Sequence, residues 1–155
     1  MAQGGLIGSG VKVAFAATSP MVLKKLEQLL DVTIPTIQAD TIDVTIHGAN
    51  RFKRNIPGLQ TVTAMAIKML RDADAATSPN QNSLFDHLAA QDDLWWRVEV
   101  PANGTLTLFE AYEFQGRVQK FGPMAPIAGR QEVDADVLFD GTSFVRYNPM
   151  ASIIG

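Results

Sequence analysis

The stretch Asp40–Leu59 reads D-T-I-D-V-T-I-H-G-A-N-R-F-K-R-N-I-P-G-L, and the interpretation of the whole chain depends on it. Its first part alternates apolar and polar residues from Ile42 to His47, which is the period-2 pattern of a half-buried strand. The pattern ends at Gly48, where a basic, turn-rich segment begins. A second strand is expected after Ile56-Pro57-Gly58. The stretch therefore predicts two strands joined by an extended loop, residues 47–57.

That loop is too long for a simple hairpin, and loops of this length in compact domains are usually functional or disordered. Arginine and aromatic residues are enriched at protein interfaces, where opposite charges also set the register of the partners. Three basic charges on one loop make a weak nucleic-acid site in an acidic protein. We therefore predict that the loop contacts a neighbouring copy of the chain through His47, Asn50, Arg51, Phe52, Lys53 and Arg54.

Composition limits the classes of function. The chain has 155 residues, which suits a single domain over residues 1–155, and 46% of them are hydrophobic. A net charge of −3 argues against a protein that binds nucleic acid through phosphate contacts. The absence of cysteine excludes disulfides, a thiolate nucleophile and cysteine metal sites. No stretch reaches the roughly 18 apolar residues of a membrane helix, so no membrane anchor is expected.

Most of the remaining chain has strand patterns. Strands are expected over residues 11–15, 60–70, 94–100, 105–109, 111–121, 131–139 and 142–147. Asn103-Gly104 and Asp140-Gly141 predict turns between them. Both faces of the 60–70 strand are largely apolar, which predicts a central strand covered on both sides. Met21–Leu30 has apolar residues at helical spacing, and the residues alone leave a helix and a strand open there.

One helix is expected in the middle of the chain. Ser78 suits the N-cap and Pro79 the first helical position. Apolar residues at helical spacing follow, and they are Leu84, Phe85, Leu88 and Ala89. Many short strands with a single helix predict a mainly β fold, a β-sandwich or partly closed barrel with one flanking α-helix.

Both ends of the chain are unusual. Residues 1–10 contain four glycines around the apolar pair Leu6 and Ile7, so the free segment should be mobile. A frayed terminus is the common outcome for such a segment, but the apolar pair favours an arm that docks on another subunit. Residues 150–155 are apolar where a terminus is normally polar. We therefore predict terminal arms, with Ile153 and Ile154 as further contacts to a neighbouring copy.

The sequence predicts no catalytic, cofactor-binding or metal-binding residue. His47 and His87 belong to no recognisable motif and no G-x-S-x-G accompanies them, so both are expected to be surface histidines. Two glycines at the N-terminus precede a strand, whereas a dinucleotide fingerprint follows one. The acidic run from Asp134 to Gly141 has Phe139 where a calcium loop needs glycine.

Three carboxylates share one face of the predicted 131–139 strand: Glu132, Asp134 and Asp136. Repeated around a ring of subunits, they would form a band of negative charge that faces a lumen and repels a DNA backbone, so that DNA passes without binding. An ordinary solvated strand face is the other account of the same pattern.

Several short motifs occur in an order that resembles a known family. They are V-K-V-A-F-A-A-T-S-P from Val11, L-D-V-T-I-P from Leu30, the stretch Asp40–Leu59, W-R-V-E-V-P from Trp96, A-Y-E-F-Q-G from Ala111 and V-L-F-D-G-T-S-F-V-R-Y from Val137. In this order they resemble the major tail protein, or tail tube protein, of long-tailed non-contractile bacteriophages. The resemblance covers nearly the whole chain, and each motif is structural rather than catalytic.

The resemblance implies a virion protein that assembles into hexameric rings, which stack into the tail tube through which DNA passes at infection. The inner sheets would join between subunits, and residues 1–10, 47–57 and 150–155 would reach between rings. It also implies a strand at Met21–Leu30. Tape measure and tail terminator proteins would be partners, and assembly would take place in the host cytoplasm. No enzyme activity and no cofactor are expected.

A second hypothesis belongs to another class of protein. A monomeric β-sandwich could bind a carbohydrate or a peptide with its loops, with Trp95 and Trp96 as aromatic platforms. Alternation along the strand buries at least one of these two side chains. The burial of the tryptophans therefore discriminates between this hypothesis and the first.

Overall fold

The computed structural model describes residues 10–17, 22–44, 55–71, 76–124, 129 and 131–154, and these form a mainly β fold with one helix. The elements are β1 Lys12–Ala16, β2 Lys24–Lys25, β3 Leu29–Thr33, β4 Ile37–Asp43, β5 Asn55–Val62, β6 Met65–Leu70, α1 Pro79–Ala90, β7 Leu94–Pro101, β8 Phe109–Met124 and β9 Glu132–Met150.

Seven strands form one antiparallel sheet in the order β2-β1-β7-β8-β9-β6-β3, and β4 and β5 form a separate pair. The large sheet is curled into a half-barrel. Its two edge strands, β2 and β3, are joined by Leu26–Gln28. Leu26 is buried, and its amide donates to the Val13 carbonyl at 2.9 Å. This connection brings the two edges together, which confirms the predicted partly closed barrel with one helix.

The longest pairing in the sheet joins β8 to β9. β7 pairs with the first half of β8, Phe109–Gly116, and β6 pairs with the first half of β9, Glu132–Val137. The register of β8 with β9 shifts between Phe114 and Gly116, where the facing residues advance from Phe144 to Phe139. β9 therefore has extra residues opposite one position of β8, which bends the hairpin.

The predicted turn at Asp140-Gly141 is wrong, because these residues lie inside β9. They form the bulged part of the strand: Gly141 has φ +89°, and the Thr142 amide donates to Asp140 Oδ1 at 2.8 Å. A short aspartate turn inside a strand has the same local sequence as a hairpin turn. The long partner strand β8 is what keeps the chain extended on both sides.

Alternation along the strands builds the core on the inner face of the curled sheet. The 131–139 pattern is confirmed, since Val133, Ala135 and Val137 are buried. The inner face also carries the side chains of Val13, Phe15, Met65, Ile67, Met69, Leu94, Trp96, Val98, Phe114 and Val118. Trp96 is fully buried and donates Nε1–H to the Gly116 carbonyl at 3.1 Å. The indole therefore fixes the bend in β8 from the core side.

The helix begins at Pro79 after Ser78, as predicted. Ser78 makes no capping bond with its side chain; instead Glu27, from the β2–β3 connection, accepts the Gln81 amide at 3.0 Å. Its carboxylate is favourably placed at the positive end of the helix. Within the described ranges no helix is long and apolar enough to cross a membrane.

The predicted apolar stripe of α1 is only partly right. Leu84 is buried and Leu88 packs against the core, whereas Phe85 and Ala89 are exposed. Because the helix covers the sheet with a single narrow line of side chains, Phe85 lies beside the core rather than in it.

Two strand predictions differ from the structure. The predicted 60–70 strand is divided at Thr63 and Ala64 between β5 and β6, and only one face of β6 is buried, because the other lies on the outside of the sheet. Residues 105–108 form a loop before β8 rather than a strand. The Asn103 side chain holds this loop by accepting the Thr107 amide at 3.1 Å.

Residues 22–30 contain no helix and confirm the strand alternative. β2 pairs with β1, β3 pairs with β6, and Gln28 between them has φ +61°. Helical spacing of apolar residues is a weak local preference, and pairing on both sides overrides it.

Gly116 offers a test of the bend in β8. A Cβ at this position would lie 2.5 Å from the Leu138 carbonyl oxygen, which is backbone and cannot move independently. We expect Gly116→Ala to lower the free energy of unfolding by about 1–3 kcal/mol, measured by urea denaturation. Gly104→Ala is the control, since a Cβ there meets nothing within 4 Å. Equal stabilities of the two variants would contradict the proposed bend.

Candidate interaction surfaces

The β4–β5 hairpin lies outside the main sheet and pairs only with itself. All seven residues of β4 are exposed, so the predicted half-buried strand is not buried within the isolated subunit. Ile42 is 51% exposed and pairs with Ile56, and Leu59 is 82% exposed. A two-stranded hairpin alone is marginally stable in water, and exposed apolar patches mark interaction sites. This hairpin therefore has the properties of a contact surface.

A bulge shapes the hairpin at the start of the second strand. The register shifts between Ala39 and Thr41, with Gly58 packed on Asp40 so closely that a Cβ would lie 3.0 Å from the Asp40 carbonyl oxygen. Pro57, which has no amide hydrogen to donate, pairs with Thr41 at this irregularity. β5 begins at Asn55, so the last three residues of the predicted loop 47–57 lie in a strand instead.

Some predicted contact residues lie outside the described residues. They are Leu6 and Ile7 near the N-terminus, and His47, Asn50, Arg51, Phe52, Lys53 and Arg54 between β4 and β5. The two strands that lead to and from the second group are described, and both are exposed.

The three predicted lumen carboxylates lie together on the outer face of the sheet, each half-buried. Lysines from neighbouring strands lie among them: Lys68 Nζ is 3.1 Å from Glu132 Oε2, and Lys120 pairs in register with Asp136. Asp31 from β3 joins the same polar groove of about 280 Å³. Arg117 pairs in register with Leu138 on the same face, so four carboxylates lie here with three basic side chains. The negative charge of this face is therefore largely offset within the subunit, and a negative band around a ring stays a prediction.

The last described residues lie on the other half of the outer face. Ser152 Oγ donates to Glu99 Oε1 at 2.6 Å, and the Ile153 amide donates to Glu99 Oε2 at 2.9 Å. Met150 is the last residue of β9. Ile153 is exposed and Ile154 is half-buried. Residues 151–154 thus contact their own subunit here, and their contact with a neighbouring copy stays a prediction.

A buried ion pair supports this docking, and the sequence reasoning missed it. Arg97 and Glu99, 2% and 0% exposed, lie on the outer face of β7, with Arg97 Nε 2.9 Å from Glu99 Oε2. Arg97 also contacts Glu113 and lies over the Tyr147 ring. The available signal was W-R-V-E-V: opposite charges two residues apart in an apolar strand share one face.

The surroundings of Glu99 favour its charged form. Burial raises the pKa of Glu99, but the hydrogen bonds from Ser152, the Ile153 amide and Arg97, together with the Arg97 charge, outweigh it and hold the pKa below 4.5. Nearby, the negative charge of Glu113 and a hydrogen bond to it raise the pKa of Tyr147. The cluster is a closed structural network with all of its charges paired.

The described residues offer no catalytic or metal-binding constellation. No group of three or more metal-binding side chains is present among them. His87 is not the surface histidine expected, because its side chain is 17% exposed, 3.1 Å from Asp92 and edge-on to Phe15. Trp96 is buried in the core and Trp95 is half-buried. The tryptophan pair therefore offers no exposed ligand platform.

The fold is similar to chains of solved tail and injection assemblies. A chain of the extracellular contractile injection system sheath/tube terminator gives a TM-score of 0.72 at 11% identity, covering 96% of this chain and 100% of that one. A chain of the tail of the empty gene transfer agent particle, determined with C6 symmetry, gives 0.67 at 10% identity, with coverage of 93% and 100%. A chain of the SPP1 tail tube gives 0.66 at 9% identity, with coverage of 94% and 81%.

No protein-family model and no curated protein matches the sequence. At these identities, the structural likeness shows the fold. It agrees with the architecture that the order of sequence motifs implies.

The Glu99 network predicts how stability changes in acid. Because the folded-state pKa of Glu99 lies below that of the unfolded chain, its carboxylate stabilises the fold above the unfolded-state pKa, and this contribution is lost as pH falls through the folded-state pKa. We expect Glu99→Gln to be less stable at neutral pH and to lose less stability than the wild type between about pH 5 and 3. Denaturation at several pH values measures both. Parallel acid profiles would contradict this role of Glu99.

Proposed function

We propose that the chain is a structural subunit that assembles with copies of itself into a tail tube of a phage-like particle, and is not an enzyme. The observation that carries the proposal is the β4–β5 hairpin, which projects from the sheet with Ile42, Ile56 and Leu59 exposed. In a monomer, the apolar side chains of this hairpin would stay exposed to water, whereas in an assembly each subunit would bury them against its neighbour.

The subunits would form hexameric rings that stack along one axis. The C6 symmetry of the similar gene transfer agent tail supports six copies per ring. The similar structures include a contractile injection system and the SPP1 tail tube, so the non-contractile assignment rests on the order of sequence motifs. The loop 47–57 and the arms 1–10 and 150–155 would contact neighbouring copies, through Phe52, Arg54 and the other residues predicted above.

Sheet edges offer the contacts within a ring. β2 and β3 are edge strands, and β9 after Val137 has no ladder partner on the side of β6 within the described chain. Joining these edges between copies would satisfy their backbone groups and would remove surfaces that invite aggregation. The outer face with Glu132, Asp134 and Asp136 would line the lumen, where DNA passes without specific binding. Tape measure and tail terminator proteins would meet the tube, which is built in the host cytoplasm and ends in the virion.

The first test is the oligomeric state of the purified protein. We expect rings or tubes in negative-stain micrographs at high protein concentration, and a concentration-dependent shift to large species in analytical ultracentrifugation. A compact monomer in every condition would contradict the proposal and would favour a monomeric binding module.

A hairpin variant tests the surface itself. We expect Leu59→Ser to change the free energy of unfolding by less than about 0.5 kcal/mol, because the side chain is exposed in the subunit, and to prevent tube growth. Thermal melting and electron microscopy measure the two effects. Leu108→Ser is the matched control, since Leu108 is an exposed apolar residue outside the hairpin, in the loop before β8. Normal tubes from Leu59→Ser would exclude the hairpin from the interface.

A further inference from the structure

A small aromatic cleft lies where α1 meets the ends of β6 and β8. It has a volume of about 340 Å³ and is lined by Arg71, Asn82, Phe85, Phe121 and Pro123. Phe85 is 57% exposed, and its ring lies edge-on to Phe121 with the ring centroids 6.1 Å apart. A large aromatic side chain that is exposed beside a cleft marks an anchor point for a partner.

The cleft also holds a positive charge in a fixed position. The Arg71 guanidinium lies over the Phe121 ring at 5.7 Å, and Nη1 donates to Asn82 Oδ1 at 3.0 Å. None of the ion pairs between described residues includes Arg71. A guanidinium held over an aromatic ring keeps N–H groups that can bind a carboxylate in two-point fashion. The cleft therefore fits an apolar surface that carries a carboxylate.

The β4–β5 hairpin has this chemistry. Ile42 pairs with Ile56 on one face, and Asp40 lies two residues before Ile42 on the same strand. Leu59 lies at the bulge, opposite Asp40, and its side chain is more exposed than those of Ile42 and Ile56. No described hydrogen bond or ion pair engages the Asp40 carboxylate, and Asp40 is exposed. Apolar side chains around a carboxylate complement aromatic rings around a guanidinium.

The hairpin and the cleft lie at opposite ends of β6. The hairpin returns to the sheet just before Met65, the first residue of β6, and Arg71 follows Leu70, the last. A strand of this length spans roughly 17–20 Å, and the hairpin extends away from it. Two complementary patches at opposite ends of one chain make a head-to-tail contact, which propagates instead of closing into a dimer.

We propose that the cleft of one subunit receives the β4–β5 hairpin of a second copy, with Leu59 and Ile42 against Phe85 and Phe121, and the Asp40 carboxylate on the Arg71 guanidinium. This pairing rests on the proposed function and adds the receiving surface to it. It gives the stack its direction, because each subunit offers a hairpin at one end and a cleft at the other.

Site-directed cross-linking tests the contact, and the chain has no cysteine of its own to interfere. Two singly substituted proteins, Gln38→Cys and Asp86→Cys, are mixed, assembled and treated with a short bismaleimide. Both positions are exposed and lie next to residues of the proposed contact. In assembled material, we expect mass spectrometry to detect a peptide in which position 38 of one copy is cross-linked to position 86 of another. Gly104→Cys in place of Asp86→Cys is the control, because Gly104 is exposed in the loop at the opposite end of β8 from the cleft, and it should give no cross-link with Gln38→Cys.

The outcomes separate the two proposals. Tubes that form without a 38–86 cross-link would overturn the cleft and leave the tail tube proposal standing. If neither tubes nor cross-linked pairs form at any concentration, both proposals fall.

A charge exchange tests the polar pair. We expect Arg71→Glu to raise the protein concentration needed for assembly about tenfold or more, and the added substitution Asp40→Lys to restore most of the loss. Arg71→Glu with Asp93→Lys restores the net charge at a site away from the pair and should restore nothing. Thermal melting shows that each variant folds. A double variant Arg71→Glu with Asp40→Lys as defective as the single one would overturn the pairing.

Discussion

The pairing of β8 with β9 is the constraint on which the rest of the subunit depends. β7 adds to the first half of β8, and β6 adds to the first half of β9, so the two sides of the sheet are displaced along the hairpin. The bulge opposite Gln115 bends both strands and helps to curl the sheet. Because β6 ends its pairing at Val137, the second half of β9 has a free edge among the described residues, and the β4–β5 pair before β6 is separate from the large sheet. The exposed β4–β5 hairpin is the consequence of that displacement.

The parts of the fold that were predictable from the sequence are those with strong local signals. Alternation located β9 and placed its carboxylates on the outer face, and Ser78-Pro79 located the start of α1. Local signals failed where pairing at long range decides the outcome. Asp140-Gly141 has the sequence of a turn, yet β8 holds it inside a strand. Met21–Leu30 has helical spacing, yet residues 24–25 pair with β1 and residues 29–33 pair with β6 as strands.

The interaction surfaces were predictable to a different degree. The alternation predicts a strand over residues 42–47, whereas β4 covers Ile37–Asp43, so only the start of the predicted strand is confirmed, and residues 45–47 lie outside the described residues. The pattern does not state what covers the strand, and Ile42 is exposed because its partner surface belongs to another molecule in our proposal. Arg97 and Glu99 show the opposite case, since they are charged residues that are buried. Charged residues are expected on the surface, but Ser152 and Ile153 bind Glu99, and Tyr147 and Met150 lie against Arg97, so the pair is buried. Neither outcome follows from periodicity, since both depend on what lies against the strand.

The charges on the outer face bear on how a tube of these subunits could let DNA pass. Phosphate contacts gain affinity when free cations release the counterions of the DNA, so a lumen that lets DNA slide should present few unpaired lysines. Lys68 is bound to Glu132, so a carboxylate already occupies this cation, and Lys120 lies opposite Asp136 in the register of β8 and β9. In the proposed tube, the carboxylates of this face would repel the backbone, while the basic side chains among them would limit the repulsion between neighbouring subunits that a purely acidic ring would suffer. Mixed charges on this face would thus suit both requirements of the proposal, a lumen that does not bind DNA and a ring whose subunits stay together.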